Sequence, residues 1–172
     1  MNAEASTEGP AQAVLDERDS LYLRQAIGWS RVARDRGNRP FGAVVVAADG
    51  AVLTEAWCNT TETGDCTGHA ETTAVRQLGN RFTREELARA TLYSSAEPCV
   101  MCAGAIFWSA IGRVVYGIDA VRLRVFRGER VDQRDAELSC RDVFAASSHP
   151  IECIGPALVE EASEAHLGFW KA

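Results

Sequence analysis

The stretch ATLYSSAEPCVMCAGAIFWSAIGRVVY, residues 90–116, decides the fold class, because it places a strand, a helix and a second strand in direct succession. Residues 90–94 have the β-branched and aromatic character of a strand. Pro98 is typical of the first turn of a helix, so a helix is predicted over about 99–110. The valine-rich residues 112–116 predict the next strand. Alternation of this kind predicts an α/β layered domain.

The flanking segments extend the same alternation in both directions. Apolar positions at helical spacing predict a helix over about 14–36, and the apolar run 41–48 predicts a buried strand. Asp49-Gly50 is typical of a two-residue hairpin turn leading into a strand over 51–58. The remaining predictions are a polar loop over 59–68, helices over 68–79 and 83–88, no assigned element over 118–135, a helix over 138–146, a strand over 151–154 and a helix over 156–166.

The length and composition of the chain indicate one globular domain. Its 172 residues suffice for a single core, and we expect the domain to span 13–172. Residues 1–12 are small, polar and aperiodic, which predicts a disordered arm. The chain has neither a signal peptide nor an apolar run long enough for a bilayer, so we expect a cytoplasmic protein without membrane contact.

The charge of the chain argues against a nucleic-acid partner. The formal net charge is −6, whereas proteins that grip nucleic acid usually carry a basic face. A loose group of arginines at Arg122, Arg124, Arg127 and Arg130 is interrupted by Glu129, and we interpret it as a solvated loop.

Six cysteines in a chain without an export signal are expected to be reduced, so the close pair Cys99 and Cys102 indicates metal or redox chemistry. Both cysteines and His69 stand at the start of predicted helices. Residues three apart share a helix face, so both thiols can point at one ion. One imidazole and two thiolates suit zinc, and three protein ligands leave the fourth tetrahedral position for a water, as in catalytic rather than structural sites. We therefore predict one Zn²⁺ per chain.

Glu71 follows the histidine by two residues and is the predicted proton carrier. In mid-helix this spacing would send the two side chains to nearly opposite sides, so His69 must stand at the rim of the helix. Zinc lowers the pKa of water towards neutrality, and Glu71 would move protons from the water to a ring nitrogen and to leaving ammonia. Two alternatives remain open from these residues: a dithiol redox enzyme, and a zinc-binding module without activity.

The motif order, His-x-Glu followed by Pro-Cys-x-x-Cys, is the signature of zinc deaminases, and the sequence resembles the cytidine-deaminase-like superfamily. The resemblance runs from about Leu21 to Tyr116 and is greatest to bacterial guanine deaminases and tRNA adenosine deaminases. It rests on RPFGAVVV (39–46), TGHAE (67–71) and TLYSSAEPCVMCAGAIFW (91–108). It implies a three-layer α/β/α fold with a central mixed five-stranded sheet, and a homodimer.

The resemblance also assigns substrate contacts. It implies that Asn59 and the backbone amide of Ala70 bind the target ring and that Trp108 stacks on it, although Trp108 at the end of an amphipathic helix is equally consistent with core packing. In guanine deaminases the C-terminal segment is exchanged across the dimer. The candidates here for its carboxylate and aromatic roles are Glu129, Asp132, Asp135, Phe169 and Trp170, and the two aromatics are equally consistent with docking of the C-terminus on the core. Cys66-Thr67-Gly68 departs from the relatives' Pro-Thr-Ala, which leaves open whether Cys66 approaches the site.

The choice of substrate depends on these contacts and on charge. Trp108, Asn59 and the aromatic C-terminus favour a free purine-type base or a related nucleoside, with guanine first. The tRNA adenosine alternative is supported by the residues around the two cysteines but opposed by the acidic segment 160–164. Cytosine or cytidine is the third candidate.

Overall fold

The computed structural model describes residues 9–128 and 138–170, and these form a five-stranded mixed sheet between two helix layers. The strand order is β2-β1-β3-β4-β5. β1 is antiparallel to both β2 and β3, whereas β3, β4 and β5 are mutually parallel. The strands are β1 (Gly42–Val46), β2 (Val52–Trp57), β3 (Thr91–Ala96), β4 (Arg113–Ile118) and β5 (Glu152–Ile154). The predicted three-layer α/β fold is confirmed.

Eight α-helices flank the sheet in the described part of the chain. They are α1 (Glu17–Asp35), α2 (Thr60–Thr63), α3 (Ala70–Leu78), α4 (Arg84–Ala88), α5 (Val100–Ser109), α6 (Ala120–Arg127), α7 (Cys140–Ala145) and α8 (Val159–Ser163), the last continued by a 3₁₀ turn (Glu164–His166). α1 and α8 pack on one face of the sheet, and α3, α5 and α7 pack on the other. Because helices cover both faces, the central strands β1 and β3 are buried at every position.

A buried ion pair joins the first helix to the sheet. Asp19, 5% exposed, receives two hydrogen bonds of 2.7 and 2.6 Å from the guanidinium of Arg113 and one of 2.7 Å from the hydroxyl of Tyr93. The bonds to Arg113 hold the pKa of Asp19 below its usual value, and burial together with Asp19 raises the pKa of Tyr93. The network fixes α1 against β3 and β4.

Three local predictions differ from the structure. The β1–β2 connection spans residues 47–51 rather than two residues, with Gly50 at a φ of +94°. The predicted polar loop 59–68 contains the one-turn helix α2, because the buried Asn38 accepts hydrogen bonds from the N–H groups of Thr61 and Glu62. Within 118–135, where no element was assigned, Asp119 caps α6 by accepting from the N–H of Arg122.

The described part of the predicted disordered arm, residues 9–12, is hydrogen-bonded to the domain. Arg122 donates to the carbonyl of Pro10, and the side chain of Gln12 accepts from the N–H of Val159. The rest of the arm, residues 1–8, lies outside the described residues. Across the described ranges, no helix is both long enough and apolar enough to cross a bilayer.

Candidate metal centre and active site

The two helices that carry the predicted ligands begin at the same point of the molecule. His69 is the N-cap residue of α3 and Cys99 is the N-cap residue of α5, both with extended backbone. Cys102 lies one turn into α5, so its side chain shares a face with Cys99. Because α3 and α5 pack against each other on one face of the sheet, their N-terminal ends bring all three side chains together. His69 therefore stands at the helix rim, as its two-residue spacing from Glu71 requires.

The three ligand atoms form a nearly equilateral triangle. The Sγ atoms of Cys99 and Cys102 are 3.6 Å apart, and Nδ1 of His69 lies 3.6 Å from Cys99 Sγ and 3.5 Å from Cys102 Sγ. A tetrahedral zinc with ordinary Zn–S and Zn–N bonds would require S–S and S–N separations of about 3.8 and about 3.6 Å. The triangle therefore fits zinc almost without adjustment. In the described residues this is the one group of three that could hold a metal ion.

Glu71 is buried beside the triangle. Its side chain is 5% exposed, and its Oε2 lies 3.3 Å from Sγ of Cys102. The other oxygen, Oε1, accepts a hydrogen bond of 2.8 Å from the hydroxyl of Ser94. Ser94 belongs to β3, which leads into the loop that carries Cys99. The strand thus orients one oxygen of the carboxylate and leaves the other directed at the metal ligands.

The pKa values of the cluster are shifted by its own members and by burial. Hydrogen bonds from Cys102 and His69 lower the pKa of Cys99 to about 4, and the bond to Cys99 raises the pKa of His69. Removal from water raises the pKa of Glu71, and the adjacent charge of Cys99 raises it further. A carboxylate with a raised pKa is suited to accepting and returning a proton near neutral pH.

The predicted ring-binding groups line the loop before α3. Among the described residues the Asn59 side-chain amide has no hydrogen-bond partner, although its backbone N–H bonds to the carbonyl of Gly68 at 2.9 Å. A Cβ on Gly68 would lie 2.2 Å from Oδ1 of Asn59, so any other residue at position 68 would clash with the Asn59 side chain where it now lies. Asp65 fixes the loop by accepting from both the N–H and the hydroxyl of Thr67. Ala70 is the first residue of α3, and its N–H has no intrahelical acceptor.

The other residues that the sequence suggests for the substrate site do not lie among the three metal ligands. Trp108 is 74% exposed at the far end of α5, nine residues after Cys99 and so about 13.5 Å further along the helix axis. Its own chain therefore buries it neither in the core nor in the metal site. Cys66 is exposed and stands apart from the three metal ligands. Glu129, Asp132 and Asp135 lie outside the described residues.

The C-terminal aromatics pack on their own chain. Trp170 stacks on His166 and contacts Phe41, and Phe169 contacts Trp170 edge-on. Phe41 immediately precedes β1, whose N–H at Gly42 donates to the hydroxyl of Ser95. This places Phe41 near the C-terminal end of β3, so the C-terminal segment packs at that end of the sheet, on the face that α1 covers.

Ser94 is the residue that the motifs failed to identify. A hydroxyl within a fully buried strand, three residues before Glu97-Pro98-Cys99, is a signal that could have found it, because buried polar groups need partners. Spacing alone does not reveal that the partner is Glu71.

Known proteins with these features are zinc deaminases. Residues 16–118 match the family described as the cytidine and deoxycytidylate deaminase zinc-binding region. The chain is 43% identical over 156 residues to the "Probable cytosine deaminase" of Schizosaccharomyces pombe, covering 91% of this chain and 94% of that protein. It is 44% identical over 80 residues to the guanine deaminase of Bacillus subtilis, a match that spans 46% of this chain and 51% of the relative.

A solved structure shares most of this architecture. A protein from a study of A-to-I editing by tRNA:A34 deaminases superimposes with a TM-score of 0.68 at 29% identity, covering 85% of this chain and 99% of that one. Sequence, fold and ligand triangle agree. The chain therefore belongs to the cytidine and deoxycytidylate deaminase family, zinc-dependent hydrolases that remove amino groups by cleaving C–N bonds.

Proposed function

We propose that the protein deaminates a free nucleobase, with cytosine as the first substrate to test and guanine as the second. The observation that carries the proposal is the buried carboxylate of Glu71, 3.3 Å from Cys102 and beside a three-ligand zinc site. A site with only three protein ligands leaves one coordination position for a reactant. A binding module without activity has no need of a carboxylate at that place, and a dithiol redox enzyme has no need of the histidine.

His69, Cys99 and Cys102 would hold the metal, which when bound supplies a Lewis acid that makes water a nucleophile at neutral pH. Glu71 Oε2 accepts a proton from the attacking water and delivers it to a ring nitrogen. It then helps the exocyclic amine to leave as ammonia, while the water oxygen becomes the carbonyl oxygen of the product. Ser94 keeps Oε1 in place throughout, so the carboxylate moves protons without changing its orientation.

The ring would be bound by groups that are already in place. Asn59 offers a side-chain amide with both a donor and an acceptor, and Ala70 offers a backbone N–H beside His69. Both are held by the loop that Asp65 and Thr67 stabilise. A preformed set of this kind suits a small planar base.

Charge and extent of similarity support this order of substrates. A net charge of −6 is unfavourable for gripping a tRNA loop. The sequence argument for guanine depends partly on Trp108, and this residue lies at the far end of α5, away from the metal ligands. The likeness to the cytosine deaminase extends over 91% of this chain, whereas the likeness to the guanine deaminase spans 46% of it. Cytosine therefore comes first, and guanine stays as the second candidate.

An ammonia-release assay of the zinc-loaded protein tests the proposal. Cytosine, guanine, adenine, their nucleosides and a tRNA anticodon stem-loop form the substrate set. Glu71→Gln should keep one zinc per chain and lose about 10²- to 10⁴-fold in kcat, the usual share of a general acid–base. His69→Ala should lose both zinc and activity, and the exposed Glu85→Gln serves as the matched control. Full activity in Glu71→Gln would contradict the mechanism, and turnover of the stem-loop alone would contradict the free-base assignment.

We further propose that the active form is a homodimer built on α5. This helix is apolar over nearly its whole length, yet Val100 is 39% and Trp108 74% exposed. A helix that is apolar on all sides normally lies inside a core, and a second copy of the chain supplies one. Tryptophan is also among the residues most enriched at the centres of interfaces.

A further inference from the structure

A second pair of thiols lies away from the metal ligands. Cys140 is the first residue of α7 and Cys153 lies in β5, and their Sγ atoms are 3.7 Å apart. Both are free cysteines. Cys140 is completely buried, whereas Cys153 is half-buried. The deaminase mechanism uses neither residue.

Cys153 faces an open cavity of about 440 Å³. Arg141, Phe144, Ser148 and Ile151 also line it. The guanidinium of Arg141 donates to the carbonyls of Cys153 and Gly155 at 2.8 and 2.7 Å, so a fixed positive charge stands beside the thiol. The hydrogen bond from Cys140 lowers the pKa of Cys153, and the charge of Arg141 lowers it further. A thiol of lowered pKa beside a cation is the form that reacts with peroxides.

The two elements that carry the pair can approach each other. A disulfide needs the sulfurs about 2.05 Å apart, so the pair must close by roughly 1.7 Å. β5 has three residues and, among the described strands, stands at the edge of the sheet and pairs with β4 alone. α7 is a helix of six residues. In the proposed reaction, side-chain rotation and a small shift of one of these two short elements close the gap.

We propose that Cys140 and Cys153 form a peroxide-reactive thiol pair, in which Cys153 is attacked first and Cys140 resolves the product as a disulfide. The thiolate of Cys153 attacks one oxygen of a hydroperoxide, the O–O bond breaks, and with hydrogen peroxide the leaving hydroxide takes up a proton to become water. Cys153 is then a sulfenic acid. The sulfur of Cys140 attacks the sulfur of Cys153, the S–O bond breaks, and the thiol proton of Cys140 leaves with the hydroxide as a second water. Two thiols are oxidised and one peroxide is reduced.

The proposed pair differs from the other cysteines because one of its thiols is open to the oxidant and the second thiol lies buried beside it. The oxidant reaches Cys153 through the cavity, while Cys140 behind it is shielded from solvent. Cys66 is exposed and forms no contact with another thiol among the described residues, so we expect oxidation there to stop before an internal disulfide.

The test uses the full-length, zinc-loaded protein treated with hydrogen peroxide, followed by thiol counting and peptide mapping. The expected result is the loss of two thiols, a single Cys140–Cys153 crosslink reversed by dithiothreitol, and unchanged zinc content. In Cys140→Ser, dimedone should trap Cys153 as a sulfenic acid. In Cys153→Ser, Cys140 should stay reduced. Cys66→Ser is the matched control and should form the crosslink like the wild type.

Two results would overturn the proposal. One is the absence of the Cys140–Cys153 crosslink at a peroxide dose that oxidises Cys66. The other is dimedone labelling of Cys140 in Cys153→Ser. Thermal unfolding of each variant verifies folding, and Cys153→Ala replaces Cys153→Ser if the hydroxyl is not tolerated. Because the readout is thiol chemistry, failure of the proposed deaminase activity would leave this test unaffected.

Discussion

Replacing Ser94 with alanine should move the acid limb of the deaminase pH–rate profile to higher pH. Ser94 donates a 2.8 Å hydrogen bond to Oε1 of Glu71, and both side chains are buried. A hydrogen bond to a charged group contributes about 1.5–3 kcal/mol. One pKa unit corresponds to about 1.4 kcal/mol. Because the bond stabilises the ionised form more than the neutral one, losing it should raise the apparent pKa of Glu71, and the bond energy sets a ceiling of about one to two units on the rise.

The sign follows from the role of Glu71 as a base. The ionised carboxylate accepts the proton, so activity falls as the pH drops through its pKa. In Ser94→Ala the fall begins at a higher pH, by at most about one to two units, while the plateau at high pH approaches that of the wild type. The assay is initial rate against pH with the preferred base, together with zinc content for each preparation.

Ser95→Ala is the matched control for this experiment. Ser95 is the next buried serine of β3, but its hydroxyl accepts from the N–H of Gly42 and does not contact Glu71. Its loss should lower thermal stability and leave the acid limb in place. An unmoved limb in Ser94→Ala, with full zinc content, would refute the positioning role of Ser94.

Three further outcomes follow from other parts of the structure. Asn59→Ala should raise KM for the base about tenfold in steady-state kinetics, because the loss of one hydrogen bond of about 1.4 kcal/mol corresponds to a factor of about ten. Asn80→Ala, at an exposed position, should leave KM unchanged. Asp19→Asn should lower the free energy of unfolding by about 3 kcal/mol, or the Tm by roughly 6–12 °C, because it weakens the hydrogen bonds that Arg113 and Tyr93 donate to Asp19. The pKa of Asp19 is depressed in the folded state, so the stability difference between wild type and variant should be full above about pH 4, the ordinary pKa of an aspartate. The difference should shrink as acid protonates Asp19 in the wild type. Calorimetry at several pH values that found no such convergence would count against the ion pair. Trp108→Glu should convert a dimer to a monomer in light scattering, whereas Leu21→Glu, on an exposed part of α1, should not; a wild-type monomer would remove the dimer proposal.

The metal ligands could be predicted from sequence because their geometry is local. Cys99 and Cys102 share one helix face wherever α5 lies, and an N-cap position for His69 follows from its spacing to Glu71. The order of strands and helices was also predictable, since each of the longer elements carries its own apolar pattern.

The features that were missed depend on contacts between distant parts of the chain. α2 is capped by Asn38, more than twenty residues earlier, so its own polar sequence gives no sign of a helix. The bond from Ser94 to Glu71 depends on how β3 lies beneath α3, which no local pattern encodes. The exposure of Trp108 likewise follows from which face of α5 meets the sheet. An apolar helix has no polar side to mark that choice.

The boundary between the part of the chain that matches the family and the part after it also suggests which residues choose the substrate. Residues 16–118 contain the metal ligands and Glu71, and this is the part that the family as a whole shares. Relatives named as cytosine, guanine and tRNA adenosine deaminases are all similar to this chain, so a centre that holds the metal and moves the proton does not by itself indicate which base is accepted. The discriminating contacts must then come from the rim of the site. We expect residues beyond 118 to contribute to that rim in this chain, because Trp170 and His166 pack on Phe41 just before β1. Exchange of the C-terminal segment between relatives should consequently change which base is accepted before it changes how fast the C–N bond is broken.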